Sequence, residues 1–118
     1  MMPHIRTGEK GEALAADWLT ANGFHILHRN WRHGRYEVDL IAGKEDTIHI
    51  VEVKCRRSNE YGQPEQSVSR RKIEHFLRGA QGWLLNHPGH TRIQYDVLAI
   101  TIRKDAIPEY FLFEDVYL

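Results

Sequence analysis

The sequence predicts an α/β domain with helices flanking a mixed sheet, and three observations carry that expectation. Two segments repeat apolar residues at helical spacing, five others have the length and Ile, Val, Leu and aromatic content of strands, and their order is helix, three strands, helix, two strands. A sheet built from such strands needs helical cover on its apolar faces. At 118 residues the chain has room for one domain with a real core, so residues 1–118 are expected to form a single unit.

Thr7 can cap the first helix, whose apolar side carries Leu14, Ala15, Trp18 and Leu19, and Asn22-Gly23 supplies the stop. "FHILHRNW" (Phe24 to Trp31) reads as a strand, "HGR" turns it into "YEVDLIA" (Tyr36 to Ala42), and "GKED" leads to "TIHIVEVK". The short connections predict an antiparallel meander. "CRRSNEYGQPEQ", Cys55 to Gln66, reads as the longest irregular section, of a length that is often functional in a small domain. From Ser67 the period changes: Ile73, Phe76, Leu77, Ala80, Trp83 and Leu84 mark a long amphipathic helix closed by "NHPG". "RIQYDVLAITI" (Arg92 to Ile102) and "YFLF" (Tyr110 to Phe113) are two further strands. A strand that follows a helical crossover can run parallel to an earlier one, hence the mixed sheet.

Charge and cysteine content narrow the classes. Lys plus Arg and Asp plus Glu each number 16, so no global charge announces a nucleic-acid or membrane partner, and any such case rests on local distribution. Cys55 alone gives neither a disulfide framework nor a multi-cysteine metal site and suits a reducing compartment. No segment approaches the ~20 apolar residues of a membrane helix, and the N-terminus lacks an apolar stretch of signal-peptide length. A cytoplasmic protein without a membrane partner is expected. Eight His residues suggest zinc, but His87 and His90 in "HPGH" fall at a helix stop and no second close pair completes a four-ligand set.

The informative stretch is "TIHIVEVKCRR", Thr47 to Arg57. A strand rich in Ile and Val is expected to be buried, and a carboxylate carried into it must be partnered or neutralised. Glu52 and Lys54 share a face of that strand, and Asp39 interrupts the preceding apolar strand beside Val38, Leu40 and Ile41. If the strands pair across their short turn, Asp39 and Glu52 come close. Two adjoining carboxylates repel, and a divalent cation resolves that repulsion while both stay ionised. Mg²⁺, or Mn²⁺ in its place, suits one or two carboxylates plus waters and leaves positions for phosphate oxygen and attacking water. Lys54 would meet charge building on phosphate or orient the water. Seen alone, Glu-x-Lys on a strand reads as an ordinary surface charge pair.

In order and spacing, "GEKGEALAADWLTANGFHILHRNWR", "YEVDLIA", "IVEVKCRR", "YGQP" and "RIQYDVLAI" resemble the small bacterial YraN-like proteins. That family is grouped with the Holliday-junction-resolvase-like branch of the restriction-endonuclease superfamily, whose signature is an acid on one strand and Asp/Glu-x-Lys on the next. The resemblance spans nearly the whole chain. It implies a restriction-endonuclease-like α-β-β-β-α-β core and a metal-dependent nuclease site with Asp39, Glu52 and Lys54 at the motif positions. It also implies Glu12 as accessory acid, although an acid in the first turns of a helix is favoured by the dipole alone. The family commonly has Gly where this chain has Tyr36, a bulk that narrows the approach to the site.

Basic residues cluster despite the zero sum. Arg29, Arg32 and Arg35 precede the site, Arg56 and Arg57 follow it, and Arg70, Arg71 and Lys72 open the long helix. Arg56, Arg57, Arg70, Arg71 and Lys72 are candidate phosphate contacts, with a solvated face as the plain alternative. Tyr61 is a candidate for stacking on a base, Gln66 a loose one for a helix-borne polar group, and Glu37 for an outer group or salt-bridge partner. Asp96, inside "IQYDVLAI", reads as a structural hydrogen-bonding acid and Cys55 as a packed thiol. Three functions remain open: a metal-dependent endonuclease on DNA, rather than RNA, with branched or flap structures as substrates; a nucleic-acid-binding module that does not cleave; and a homodimeric structural partner in repair or recombination.

Overall fold

The apolar positions Leu14, Ala15, Trp18 and Leu19 fall on one side of α1 (Thr7–Ala21). Its end is a Schellman closure: Gly23 takes φ 89°, its N–H donates to Thr20 O at 3.2 Å, and Phe24 N–H donates to Leu19 O at 3.0 Å. β1 (His25–His33), β2 (Tyr36–Lys44) and β3 (Thr47–Arg57) follow, then α2 (Arg70–Leu85), β4 (Arg92–Ile102) and β5 (Glu109–Phe113). The computed structural model describes residues 7–57, 70–89 and 92–116, and their side chains apart from those of 7–10, 70–73 and 76. Gly34 (φ 61°) and Glu45 (φ 55°) sit in the two short turns of the β1-β2-β3 meander.

The five strands form one sheet in sequence order. β1, β2 and β3 pair antiparallel, β3 and β4 pair parallel after the α2 crossover, and β5 returns antiparallel to β4. The element order is the α-β-β-β-α-β core implied by the motifs, with one strand added at the edge.

Each helix seals one face. On the α1 side, Ala15, Ala16 and Leu19 pack with Phe24, Leu40, Ala42, Val51, Leu98 and Ile100. On the α2 side, Ala80 and Trp83 pack with Val38, Ile41, Ile48, Ile50, Tyr95 and Val97. Close approaches set the spacing: a Cβ on Gly11 would lie 2.8 Å from Cys55 Cβ, and one on Gly79 would lie 3.0 Å from Val38 Cγ2. Trp31 Nε1 also donates to Gly79 O at 2.8 Å, tying the β1–β2 hairpin to α2.

Four expectations need revision. β3 continues through Arg57, because parallel pairing with β4 runs to Arg57↔Ile102, so the irregular section cannot begin at Cys55. β1 likewise runs on to His33, paired with Tyr36, and β2 to Lys44, paired with Thr47. Leu77, assigned to the buried side of α2, is 40% exposed, since Gly79, Ala80, Gly82 and Trp83 occupy the contact with the sheet. Ser67, Tyr61, Gln66, His4 and His90 lie outside the described residues.

Candidate active site

The site lies where two strands part. β2 and β3 pair from Lys44↔Thr47 to Leu40↔Val51, and continuing that register by one residue sets Asp39 opposite Glu52. Two residues beyond the last pair, Val53 N–H donates to Asp39 Oδ2 at 2.8 Å. The side chain thus takes a donor that the ladder would otherwise have satisfied, and this fixes the carboxyl group. The phase of β2 also breaks here. Val38 and Ile41 pack on the α2 side while Leu40 and Ala42 pack on the α1 side, so strict alternation fails across Asp39.

Glu52 is a buried acid, 5% exposed, on a strand that is otherwise apolar at its centre. Tyr95 Oη donates to Glu52 Oε2 at 2.5 Å, and Lys54 Nζ lies 3.2 Å from Glu52 Oε1. Period-two geometry puts Lys54 on the Glu52 face, and its side chain is 27% exposed, at the border of the site. These contacts supply the compensation that a buried carboxylate requires.

Electrostatics couple the acids. Burial pushes the Asp39 carboxyl up to about 6; the Val53 hydrogen bond opposes the rise, and the charges of Glu12, Glu52 and Glu37 add to it. Burial, then the hydrogen bond to Glu52, raises the Tyr95 phenol above its usual range. Glu12 is half-buried on α1, next to the tight Gly11–Cys55 contact.

The structure therefore brings Asp39, Glu52 and Lys54 to one end of the β2–β3 ladder, with the charge of Glu12 felt from α1. Arg56 and Arg57 close β3, the first half-buried and the second exposed. Arg70, Arg71 and Lys72 form the first turn of α2; their side chains lie outside the described set. Glu37 pairs with Arg32 at 3.5 Å on the surface.

Among the described residues, no group of three or more His, Cys, Asp and Glu is arranged to hold a metal ion. A magnesium-like ion needs only one or two carboxylates, because water fills the remaining positions. Two hard oxygen donors at one end of the ladder, one of them buried enough to resist ionising and flanked by further acids, fit such an ion, and Asp39 and Glu52 would hold it.

Sequence reasoning missed two partners. Tyr95 was assigned no role, although a tyrosine in a buried strand needs an acceptor for its hydroxyl. His49 was counted only among the histidines, yet its Nδ1 lies 2.6 Å from Asp96 Oδ2, both side chains being buried. Asp96 Oδ1 receives Gln94 Nε2 and Asp115 N–H, each at 2.9 Å, which bears out its structural reading.

Among the described residues, no helix is long and apolar enough to cross a membrane. Comparison with solved structures finds the Archaeoglobus fulgidus Holliday junction resolvase Hjc at a TM-score of 0.49 and 18% identity, covering 86% of this chain and 74% of that one. Sequence comparison finds UPF0102 proteins from Bacteroides thetaiotaomicron, 34% identical over 94% of this chain and 96% of the relative, and from Anaeromyxobacter dehalogenans, 43% identical over 80% and 71%. The profile of the "Uncharacterised protein family UPF0102" matches residues 11–100. The chain belongs to that family, the YraN-like group its motifs resemble.

Proposed function

We propose that the protein is a metal-dependent endonuclease that hydrolyses phosphodiesters in DNA, with branched or flap structures as its substrates. The observation that carries this reading is the buried Glu52, bonded by Tyr95 and Lys54 and set opposite an Asp39 whose proton affinity is raised by burial and, after it, by neighbouring acids. Asp39 and Glu52 hold Mg²⁺ or Mn²⁺, which supplies Lewis acidity to a phosphoryl oxygen and an acidified water when bound. Tyr95 fixes one oxygen of Glu52 and so aims the other. Lys54, at the open border, places positive charge where the phosphorane-like transition state gathers negative charge. Glu12 stands behind Asp39 as the accessory acid. Cutting two strands symmetrically takes two copies of the site, so the working assembly is a homodimer. Arg56, Arg57, Arg70, Arg71 and Lys72 flank the site as backbone contacts.

The test is cleavage of labelled four-way, flap and single-stranded DNA with Mg²⁺ or Mn²⁺. Asp39→Ala, Glu52→Ala and Lys54→Ala should each abolish nicking while the folded signal in circular dichroism persists. Nicking that survives all three substitutions refutes the assignment.

A second reading, binding without cleavage, is favoured by Tyr36, which lies three residues from Asp39 on the same strand and narrows access. It predicts salt-dependent binding, indifferent to those three substitutions, and no product.

A further inference from the structure

Next to the acidic site lies a group of side chains that the proposed chemistry does not use. Tyr36 begins β2, directly after the β1–β2 turn, and packs beside α2. Arg35 Nη2 donates to its hydroxyl at 3.4 Å, with the guanidinium carbon 5.3 Å from the ring centroid. Arg78 precedes Gly79, the α2 residue packed against Tyr36, and the two guanidinium groups, Arg35 first, hold the phenol below its ordinary pKa range. His75, one turn earlier on α2, meets the ring edge-on at a centroid distance of 5.2 Å.

Two exposed cations from different elements thus converge on one neutral oxygen. Neither forms an ion pair with a carboxylate among the described residues, whereas nearby Arg32 pairs with Glu37. Guanidinium groups seek planar or tetrahedral oxyanions, and a phenol oxygen leaves most of their donors unspent. An anion with several acceptor oxygens matches the donors of both groups.

We propose that Arg35, Tyr36 and Arg78 form a backbone-phosphate clamp that grips the nucleic-acid strand a few nucleotides from the scissile bond. Tyr36 is three residues from Asp39, ~10 Å along an extended strand at ~3.3 Å per residue, which matches about three steps of duplex rise at ~3.4 Å each. Tyr36 gathers the two arginines so that both face one phosphate, and its bulk then serves to hold the strand at the entrance. The identity of the ligand as nucleic acid rests on the proposed function; the convergence of the cations does not.

The experiment measures binding and cleavage separately on the whole protein. Fluorescence anisotropy with a labelled four-way junction and a labelled single strand is recorded from ~50 to ~200 mM salt. Arg35→Gln combined with Arg78→Gln should weaken binding about tenfold at ~100 mM salt and lower the salt slope by about two phosphate contacts. Tyr36→Phe should cost two- to threefold, because the ring stays while the hydroxyl that gathers the arginines goes. Thermal melts should match wild type, since both arginines are exposed. Inorganic phosphate and a mononucleotide at millimolar concentration should compete weakly.

Unchanged affinity and unchanged salt slope in the double variant overturn the clamp, even if the protein cleaves. Full displacement of DNA by the mononucleotide overturns it too, by making the site a small-phosphate pocket. Loss of binding in the double variant without cleavage by wild type leaves the clamp standing and removes only the nuclease reading.

Discussion

Two acids are buried in neighbouring strands, and they are treated in opposite ways. Asp96 on β4 is fully enclosed, and both of its oxygens are engaged by His49, Gln94 and the Asp115 backbone. Glu52 on β3 is 5% exposed, but its companions lead outward, to the half-buried Lys54 and to Asp39 at the end of the ladder. The first set of donors closes a polar group off inside the protein. The second set leaves Glu52 beside another acid, Asp39, whose pKa is raised by burial and then by the acids around it. On the proposed reading, an acid that stabilises the fold and one that serves a site differ in who completes their coordination.

Substitutions can break this contrast. The largest expected effect is on turnover: Glu52→Gln and Lys54→Ala should each lower DNA nicking by about 10²–10³-fold or more, measured at fixed folded concentration. Asp96→Ala should destabilise the protein by about 3–5 kcal/mol in urea unfolding, because His49 and two further donors lose their buried acceptor. Nicking per folded molecule should survive it. If Asp96→Ala left stability unchanged, the distinction between the two acids would fail.

Tyr95→Phe sharpens the contrast from the other side. It removes the donor to Glu52 without changing volume, so a loss of about 1.5–3 kcal/mol is expected, with weakened Mg²⁺ dependence of nicking. Asp39→Asn should do the reverse and stabilise. The folded pKa of about 6 lies above the ordinary value of 3.8, so the folded state binds the proton more tightly and loses stability as pH rises from about 4 to about 6. Asn keeps an acceptor for Val53 N–H and carries no charge. The variant should therefore exceed wild type by about 1–3 kcal/mol above pH 6, a figure discounted for partial solvent access, and match it below about pH 4. Millimolar Mg²⁺ should raise the melting temperature of wild type and not of Asp39→Asn.

The smallest effects separate two glycines. Gly11→Ala forces a Cβ against Cys55 Cβ, which is anchored to β3, and should cost about 1–2 kcal/mol. Gly82→Ala would press on the His33 ring, an exposed side chain that must change rotamer, so the gain of about 1 kcal/mol in helix propensity should offset part of the cost and leave a smaller loss than at Gly11.

The sequence carried the local half of this picture. Asp39 and Glu52 were legible because each breaks an apolar run, and the meander because its turns are short. What could not be read was register across the parallel β3–β4 pair. Ile50↔Tyr95 and His49↔Gln94 are separated by a whole crossover helix, so neither the Tyr95–Glu52 bond nor the His49–Asp96 contact has a signature within one segment. The extension of β3 to Arg57 was hidden for the same reason: polar residues at a strand end look like loop until a partner strand is known to run beside them. Arg35 and Arg78 were invisible as a pair, since only the packing of α2 on the hairpin joins them.

The loss of phase at Asp39 has one more implication. A carboxylate at that seam feels Glu12 from one layer of the molecule and Glu52 from the sheet itself, so the full acidic set exists only after α1 has docked. If the proposed nuclease reading holds, hydrolytic competence would be tied to completed assembly, and a half-folded chain would carry no finished blade.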